Sequence, residues 1–269
     1  MSSTSTACEL KPGRVPLLIS MPHVGTAIPA DQQHRYQPRA LETEDTDWHL
    51  ARLYGELAES LGASLLVPHY SRYLIDLNRP PDDAPMYPGA SNTELCPTRF
   101  FTGEPLYLEG QAPDAAERLR RRELYWQPYH QALSSELQRL KGEHGYALLF
   151  DAHSIRSELP WLFEGRLPDL NLGTADGKSC DAAITRDLGE VLARQSRYSE
   201  VVNGRFKGGY ITRHYGRPDQ GQHAVQLEMC QCCYMQEARP FAYDQALAEH
   251  VQPLLQSLLE RLLAWRPAA

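Results

Sequence analysis

No stretch of this chain approaches the ~18 consecutive apolar residues that a membrane-spanning helix requires, so no membrane span is expected. Residues 1–16 carry no apolar core of a secretory signal, which points to a cytoplasmic protein. Charge of one sign is never concentrated: the longest basic cluster is Arg118, Arg120, Arg121 and Arg122, and the formal net charge is −7. A general nucleic-acid footprint is therefore not expected. Cysteine is sparse, with 6 in 269 residues, too few for a disulfide scaffold in a chain of this length. Cys230-Gln231-Cys232-Cys233 lacks the second ligand pair of a structural zinc site and reads as reduced thiols, several of them buried. Catalytic signatures are missing as well. There is no Gly-x-Ser-x-Gly elbow, no His-Glu-x-x-His helix, no Walker A loop and no Gly-x-Gly-x-x-Gly fingerprint. These absences exclude the α/β-hydrolase, zincin, P-loop and Rossmann readings.

What remains is an ordinary globular composition, 42% hydrophobic and 23% charged, long enough to bury a core unaided. Short apolar runs alternate with helical patterns. Leu17–Met21, Ser64–Val67, Tyr73–Leu77, Tyr146–Phe150, Val201–Val202, Tyr210–Thr212 and Ala224–Leu227 read as strands. Leu50, Leu53, Tyr54, Leu57 and Leu61 follow helical spacing. So do Trp126, Tyr129, Leu133, Leu137 and Leu140, with Asp114 as N-cap and Gly142 as stop. Ile184–Leu192 and Leu247–Leu263 complete the helices, the last with Pro253 as a kink or restart. Residues 81–113, rich in Pro and Gly, read as a long excursion that forms a lid or site wall, and 157–180 as a second irregular region. No linker divides the chain. The expectation is one α/β domain over 1–269, with a mixed, mostly parallel sheet flanked by helices and a flexible start over 1–14.

Polar groups stand repeatedly where apolar strands end: His23, Asp76-Leu77-Asn78-Arg79, Asp151-Ala152-His153 and Glu228. Ligands bind at the carboxyl ends of strands in open α/β sheets, so four such places suggest one site. His23 and His153 offer imidazole nitrogens, and Asp45 or Asp47 offers an oxygen. Two His and a carboxylate are a ligand set for hydrolytic zinc, and Glu228 is then the candidate general base. Each residue also has a plain structural role. Asp47 suits the N-cap of the Leu50–Leu61 helix, and Asp151 either orients a turn or braces a ligand from behind.

Ser20–Gly25, Asp45–Trp48, Ser71–Pro80, Asp151–Ser154, Pro168–Gly173, Asn203–Tyr210 and Gln226–Met229, in this order along the chain, resemble the N-formylglutamate amidohydrolase family. The resemblance implies hydrolysis of N-formyl-L-glutamate to formate and L-glutamate, in histidine degradation. It also implies a fold similar to zinc-dependent exopeptidases. Those peptidases commonly place a Glu three positions after the first His; here that position is Thr26, so the carboxylate ligand comes from elsewhere and Asp47 is favoured. The implied metal set is His23, Asp47 and His153, with zinc as the default divalent ion and Mn, Fe or Co as alternatives. Asn78 and Arg79 look like the pair that holds a substrate carboxylate in metallocarboxypeptidases, and Glu228 looks like their catalytic glutamate. A dianionic substrate calls for two cationic forks, Arg79 first and Arg213 second, with Arg72 and Arg156 in reserve as structural ion-pair formers. The alternatives are a hydrolase of another N-acyl or N-formyl amino acid, or a non-catalytic small-molecule binder of the same fold.

Overall fold

In the computed structural model, residues 7–84 and 93–267 are described. Among the described residues seven strands form one sheet: β1 (Cys8–Lys11), β2 (Leu17–Ser20), β3 (Ser64–Pro68), β4 (Ala147–Ile155), β5 (Leu170–Gly173), β6 (Glu200–Val202) and β7 (Gln222–Cys230). Their order across the sheet is β1-β3-β2-β4-β7-β5-β6. Neighbours run parallel from β3 through β2 and β4 to β7 and again between β5 and β6; β1 on β3 and β5 on β7 are antiparallel. The sheet is therefore mixed and mostly parallel.

Both faces are covered, which is why β4 is buried along its whole length and reads as a continuous apolar run. The helices are α1 (Ala30–Gln33), α2 (Leu50–Leu61), α3 (Ala115–Arg121), α4 (Gln127–His144), α5 (Ala182–Ala193), α6 (Tyr210–Tyr215) and α7 (Gln245–Ala264). Strand alternation divides β4 between two apolar clusters. Leu148, Phe150 and Ala152 pack with Leu53 and Tyr54 of α2, Leu188 of α5 and Leu255 and Leu259 of α7. Ala147 and Leu149 pack on the other face with Leu133, Leu137 and Leu140 of α4. Among the described residues no helix is long and apolar enough to cross a membrane.

Several local expectations change. Cys8–Lys11 is an edge strand on β3 rather than part of a flexible start; residues 1–6 lie outside the described residues. Residues 85–92 of the 81–113 excursion also lie outside them. Tyr73–Leu77 is a buried turn, not a strand. Its side chains are as buried as a strand's, but Leu74 N bonds Ser71 O, Asp76 N bonds Leu95 O, and the Asp76 carboxylate accepts from Asn78 N two residues on. The helical stretch after Asp114, whose side chain does cap Glu117 N, runs through Gly142 and ends at Gly145. Gly145 has φ +83°, the left-handed conformation that closes a helix and that Gly142 does not adopt. The region 157–180 contains β5. Tyr210–Thr212 belongs to α6: Arg213 N bonds Gly209 O, and the Tyr210 and His214 rings stack one turn apart at 4.8 Å. Pro253 lies on the exposed side of α7, which continues through it.

His130 of α4 ties this helix to the segment that leads into the site. Its Nε2 donates to Leu77 O at 2.8 Å, its Nδ1 faces the Tyr215 hydroxyl at 3.0 Å, and its ring stacks on Trp126 at 3.7 Å. Burial pushes its pKa down to about 3. The unfolded chain, with a His pKa of about 6.5, thus binds a proton that the folded chain refuses between these values. The stabilising contribution is complete well above pH ~6.5 and diminishes as pH falls, the loss amounting to about 2 kcal/mol at pH 5. Wild type should lose about 4–8 °C more of Tm between pH 7 and pH 5 than His130→Gln. Equal losses by calorimetry would contradict a buried neutral His130.

Candidate metal centre and active site

The parallel register of β4 and β7 sets His153 opposite Glu228 and Asp151 opposite Gln226. Residues two apart share a face, so all four side chains stand on one side of the sheet at its carboxyl end. The loop after β2 brings His23 to them, and His23 O accepts from Asp47 N at 3.0 Å, which docks the Asp45–Trp48 segment on the same point. Helix α2 begins after His49 with no side-chain cap, so Asp47 is not its N-cap.

Three ligand atoms converge. His23 Nδ1 lies 3.2 Å from His153 Nδ1, and Asp47 Oδ2 lies 3.7 Å and 3.4 Å from these two nitrogens. The far nitrogen of each ring meets a carboxylate: His23 Nε2 bonds Asp76 Oδ1 at 2.7 Å, and His153 Nε2 bonds Asp151 Oδ2 at 3.0 Å. A ring that donates through Nε2 turns a lone pair outward at Nδ1. With both rings neutral, two lone pairs and a carboxylate oxygen face one another, an arrangement that asks for a cation. Asp47 Oδ1, buried and without a hydrogen-bond partner, adds to that demand. Burial and the nearby Arg72 cation hold the His23 pKa below its ordinary value. Burial would push Asp47 up, but His153, His23 and Arg72 hold it below the usual carboxylate range. Against burial, Asp151 raises His153 well above the ordinary imidazole value. The donor set fits a divalent metal ion.

Asp45 is turned away. Its carboxylate accepts from the Tyr73 hydroxyl at 2.7 Å, Phe101 N at 2.8 Å and Arg156 Nη2 at 2.9 Å. Glu228 is buried on the cavity wall; burial pushes its carboxyl up to about 8, with His153 acting in opposition. The cavity, about 250 Å³, is also lined by Arg72, Asn78, Arg79, Phe163, Arg205 and Gln226. Asn78 Nδ2 is 3.1 Å from His153 Nε2, and its Oδ1 accepts from Ile211 N. A Cβ on Gly209 would stand 2.2 Å from Asn78 Nδ2, so the absence of a side chain there is what lets Asn78 sit in this place. Arg79 is braced by Thr93, with Nη2 2.6 Å from its hydroxyl.

The arginines sort differently from expectation. Arg213 is exposed on α6, with Nε bonded to Gly208 O at 2.9 Å, and is not among the cavity-lining residues. A helix in place of a strand rotates it to the surface. Arg205 lines the cavity instead, 5.1 Å from the Phe163 ring; the Asn203–Tyr210 segment contained it, but nothing in its spacing singled it out. Arg72 is buried at the centre of the site, 2.8 Å from Asp76 Oδ2 and 3.6 Å from Asp47 Oδ1, with its guanidinium 4.6 Å from the Phe101 ring. Arg156 serves Asp45. Asp76 was seen only as part of a strand end; its role in orienting His23 depends on a contact across 53 positions of sequence.

Carboxylates behind ligating imidazoles commonly contribute 10–100-fold to metal affinity. Asp151→Asn and Asp76→Asn should each weaken metal binding by about that factor, as read by metal titration, with a native-like circular dichroism spectrum. Unchanged affinity in both would remove them from the metal site.

The profile of N-formylglutamate amidohydrolases matches residues 15–235. An N-formylglutamate deformylase of Pseudomonas aeruginosa is 57% identical over 257 residues, covering 96% of each chain. An N-formylglutamate deformylase of Pseudomonas putida is 53% identical over 253 residues, 94% of each chain. Among solved structures, an N-formylglutamate amidohydrolase from Ralstonia eutropha JMP134 superposes with a TM-score of 0.80 at 25% identity, over 95% of this chain and 97% of that one. A protein from Agrobacterium tumefaciens shares the fold at a TM-score of 0.72 and 17% identity, over 97% of this chain and 96% of that one.

Proposed function

The chain belongs to the N-formylglutamate amidohydrolase family, and from that membership we propose that it hydrolyses the formamide of N-formyl-L-glutamate to formate and L-glutamate, with His23, Asp47 and His153 holding a divalent metal ion and Glu228 moving the protons. The observation that carries the residue assignment is the cross-strand pair His153–Glu228: it sets a buried carboxylate beside the cluster of His23, Asp47 and His153. Zinc suits two imidazoles and one carboxylate. When bound, such an ion supplies Lewis acidity, which polarises a carbonyl and acidifies water.

The rest falls to the chain. Arg79 and Arg205 present cationic forks on the cavity wall to the two substrate carboxylates, and Arg79 is fixed in place by Thr93. Asn78, held by Ile211 N, offers its amide to the same end of the substrate. Glu228 accepts the proton of the attacking water at a carboxylate oxygen and passes it to the amine nitrogen that leaves as glutamate. Phe101, Phe163 and Phe206 line the cavity and limit its water.

Purified protein, stripped and reconstituted with zinc, should release formate from N-formyl-L-glutamate faster than from N-formyl-L-aspartate, and faster than it releases acetate from N-acetyl-L-glutamate. Preference for either of the other two would transfer the assignment to another N-acyl amino acid hydrolase. No turnover with bound substrate would indicate a binding protein. Arg79→Ala should raise KM about 10–100-fold through loss of a charge-assisted contact worth about 1.5–3 kcal/mol. Its effect should be much smaller on an N-formyl amine that lacks the carboxylate, and equal impairment of both substrates would assign Arg79 a structural role.

A further inference from the structure

At the carboxyl end of β7 three thiols gather, and one of them meets a cation. Cys230 ends β7, and the single 3-10 turn Gln231–Cys233 carries Cys232 and Cys233. Cys232 is half-buried, whereas Cys230 and Cys233 are buried. Arg166 Nη2 points at the Cys232 sulfur from 3.2 Å. The Cys230 and Cys233 thiols flank it in the same turn, directed to Pro168 O at 3.4 Å and Asp169 O at 4.0 Å. A half-buried sulfur that accepts from a guanidinium is favoured as a thiolate, and the neighbouring Cys230, Cys233 and Arg166 draw its pKa below the ordinary value. Asp169 is engaged by Arg166 and by the Ser199 amide and hydroxyl, and Glu237 by Cys232 N and by the Ser157 amide and hydroxyl.

We propose that Cys232 is a peroxide-reactive thiolate whose resolving partner is Cys230. The thiolate sulfur attacks one oxygen of a hydroperoxide; the O–O bond breaks, an S–O bond forms, and the other oxygen leaves as hydroxide or alkoxide and takes a proton from water. Sulfur is oxidised to the sulfenic acid and the peroxide is reduced. The Cys230 thiol then gives up its proton and attacks the Cys232 sulfur; the S–O bond breaks, water leaves, and a disulfide closes. Cys233 is the poorer partner, because adjacent residues hold their Cα atoms ~3.8 Å apart, inside the ~4.4–6.8 Å that disulfides usually span. A metal is a weaker occupant here. Asp169, Cys232 and Cys233 do place ligand atoms within 4.8 Å of one another, but Arg166 already supplies the positive charge and both Asp169 oxygens are taken.

Cys8 provides an internal control, since it is also half-buried but burial raises its pKa and no cation attends it. With limiting iodoacetamide at about pH 6, where ordinary thiols are mostly protonated, Cys232 should be alkylated at least about tenfold faster than Cys8. Arg166→Gln should narrow that gap. Hydrogen peroxide should produce a Cys230–Cys232 cross-link in peptide mapping, reversed by dithiothreitol. Cys230→Ser should stop at a dimedone-trapped sulfenic acid on Cys232, and Cys232→Ser should lose both products while keeping formate release. Equal labelling of Cys8 and Cys232, or peroxide consumption without modification of Cys232, would overturn the proposal. So would a second metal ion per chain that protects these thiols and is lost in Cys232→Ser.

Discussion

Glu228→Gln is expected to lower kcat by about 10²–10⁴-fold, the range general acid–base catalysis supplies, with metal content and Tm close to wild type. Glutamine keeps the shape and removes only the ability to take and return a proton. Glu228 is buried beside His153 in the β4–β7 register, and burial raises its carboxyl to about 8. A cation bound opposite draws that value down again, because positive charge favours the ionised carboxylate. The base must be ionised to act, so kcat/KM in the wild type should fall as pH drops below the Glu228 pKa, and this acidic limb should be missing from the residual activity of Glu228→Gln. Were Glu228 only a structural counter-charge for His153, the substitution would lower Tm and leave kcat near wild type. Kinetics and thermal melts on the same preparation separate these outcomes.

The parts of this site that were legible in the sequence are those set by local pattern. Apolar runs of strand length mark β2, β4 and β7, and their carboxyl ends hold His23, His153 and Glu228. What could not be read is what depends on contact between distant segments. Asp45 and Asp47 are two residues apart and chemically alike; only the fold turns one toward the imidazoles and the other toward Tyr73, Phe101 and Arg156. Arg213 and Arg205 could not be ranked for the same reason, since a run read as a strand is in fact α6 and exposes Arg213. Tyr73–Leu77 reads as a strand because complete burial looks the same in a strand and in a packed turn, and the Asx turn at Asp76 has no apolar period to reveal it. The contact of Asp76 with His23 is hidden for the same reason.

The same distinction gives the strongest test of the metal set. Asp47→Asn should abolish stoichiometric metal binding and reduce formate release to background, whereas Asp45→Asn should retain the ion. The two variants make the same isosteric change two residues apart, and both acids are buried. Asp47 Oδ2 faces the two imidazole Nδ1 atoms and also accepts from Ser154 N; an asparagine oxygen that keeps both contacts carries no negative charge for a cation, and its NH₂ takes the Oδ1 position, 3.6 Å from the Arg72 guanidinium. In Asp45→Asn the loss falls on Arg156, Tyr73 and Phe101, so stability drops while the ligand cluster persists. Metal that binds only the native state stabilises it by about 4 kcal/mol at a thousandfold excess over Kd, so added zinc should raise the Tm of wild type and of Asp45→Asn and leave that of Asp47→Asn unmoved. His23→Gln and His153→Gln should behave as Asp47→Asn does. Retained metal in Asp47→Asn together with loss in Asp45→Asn would exchange the two assignments, and retained metal in all four variants would place the ion elsewhere in the protein.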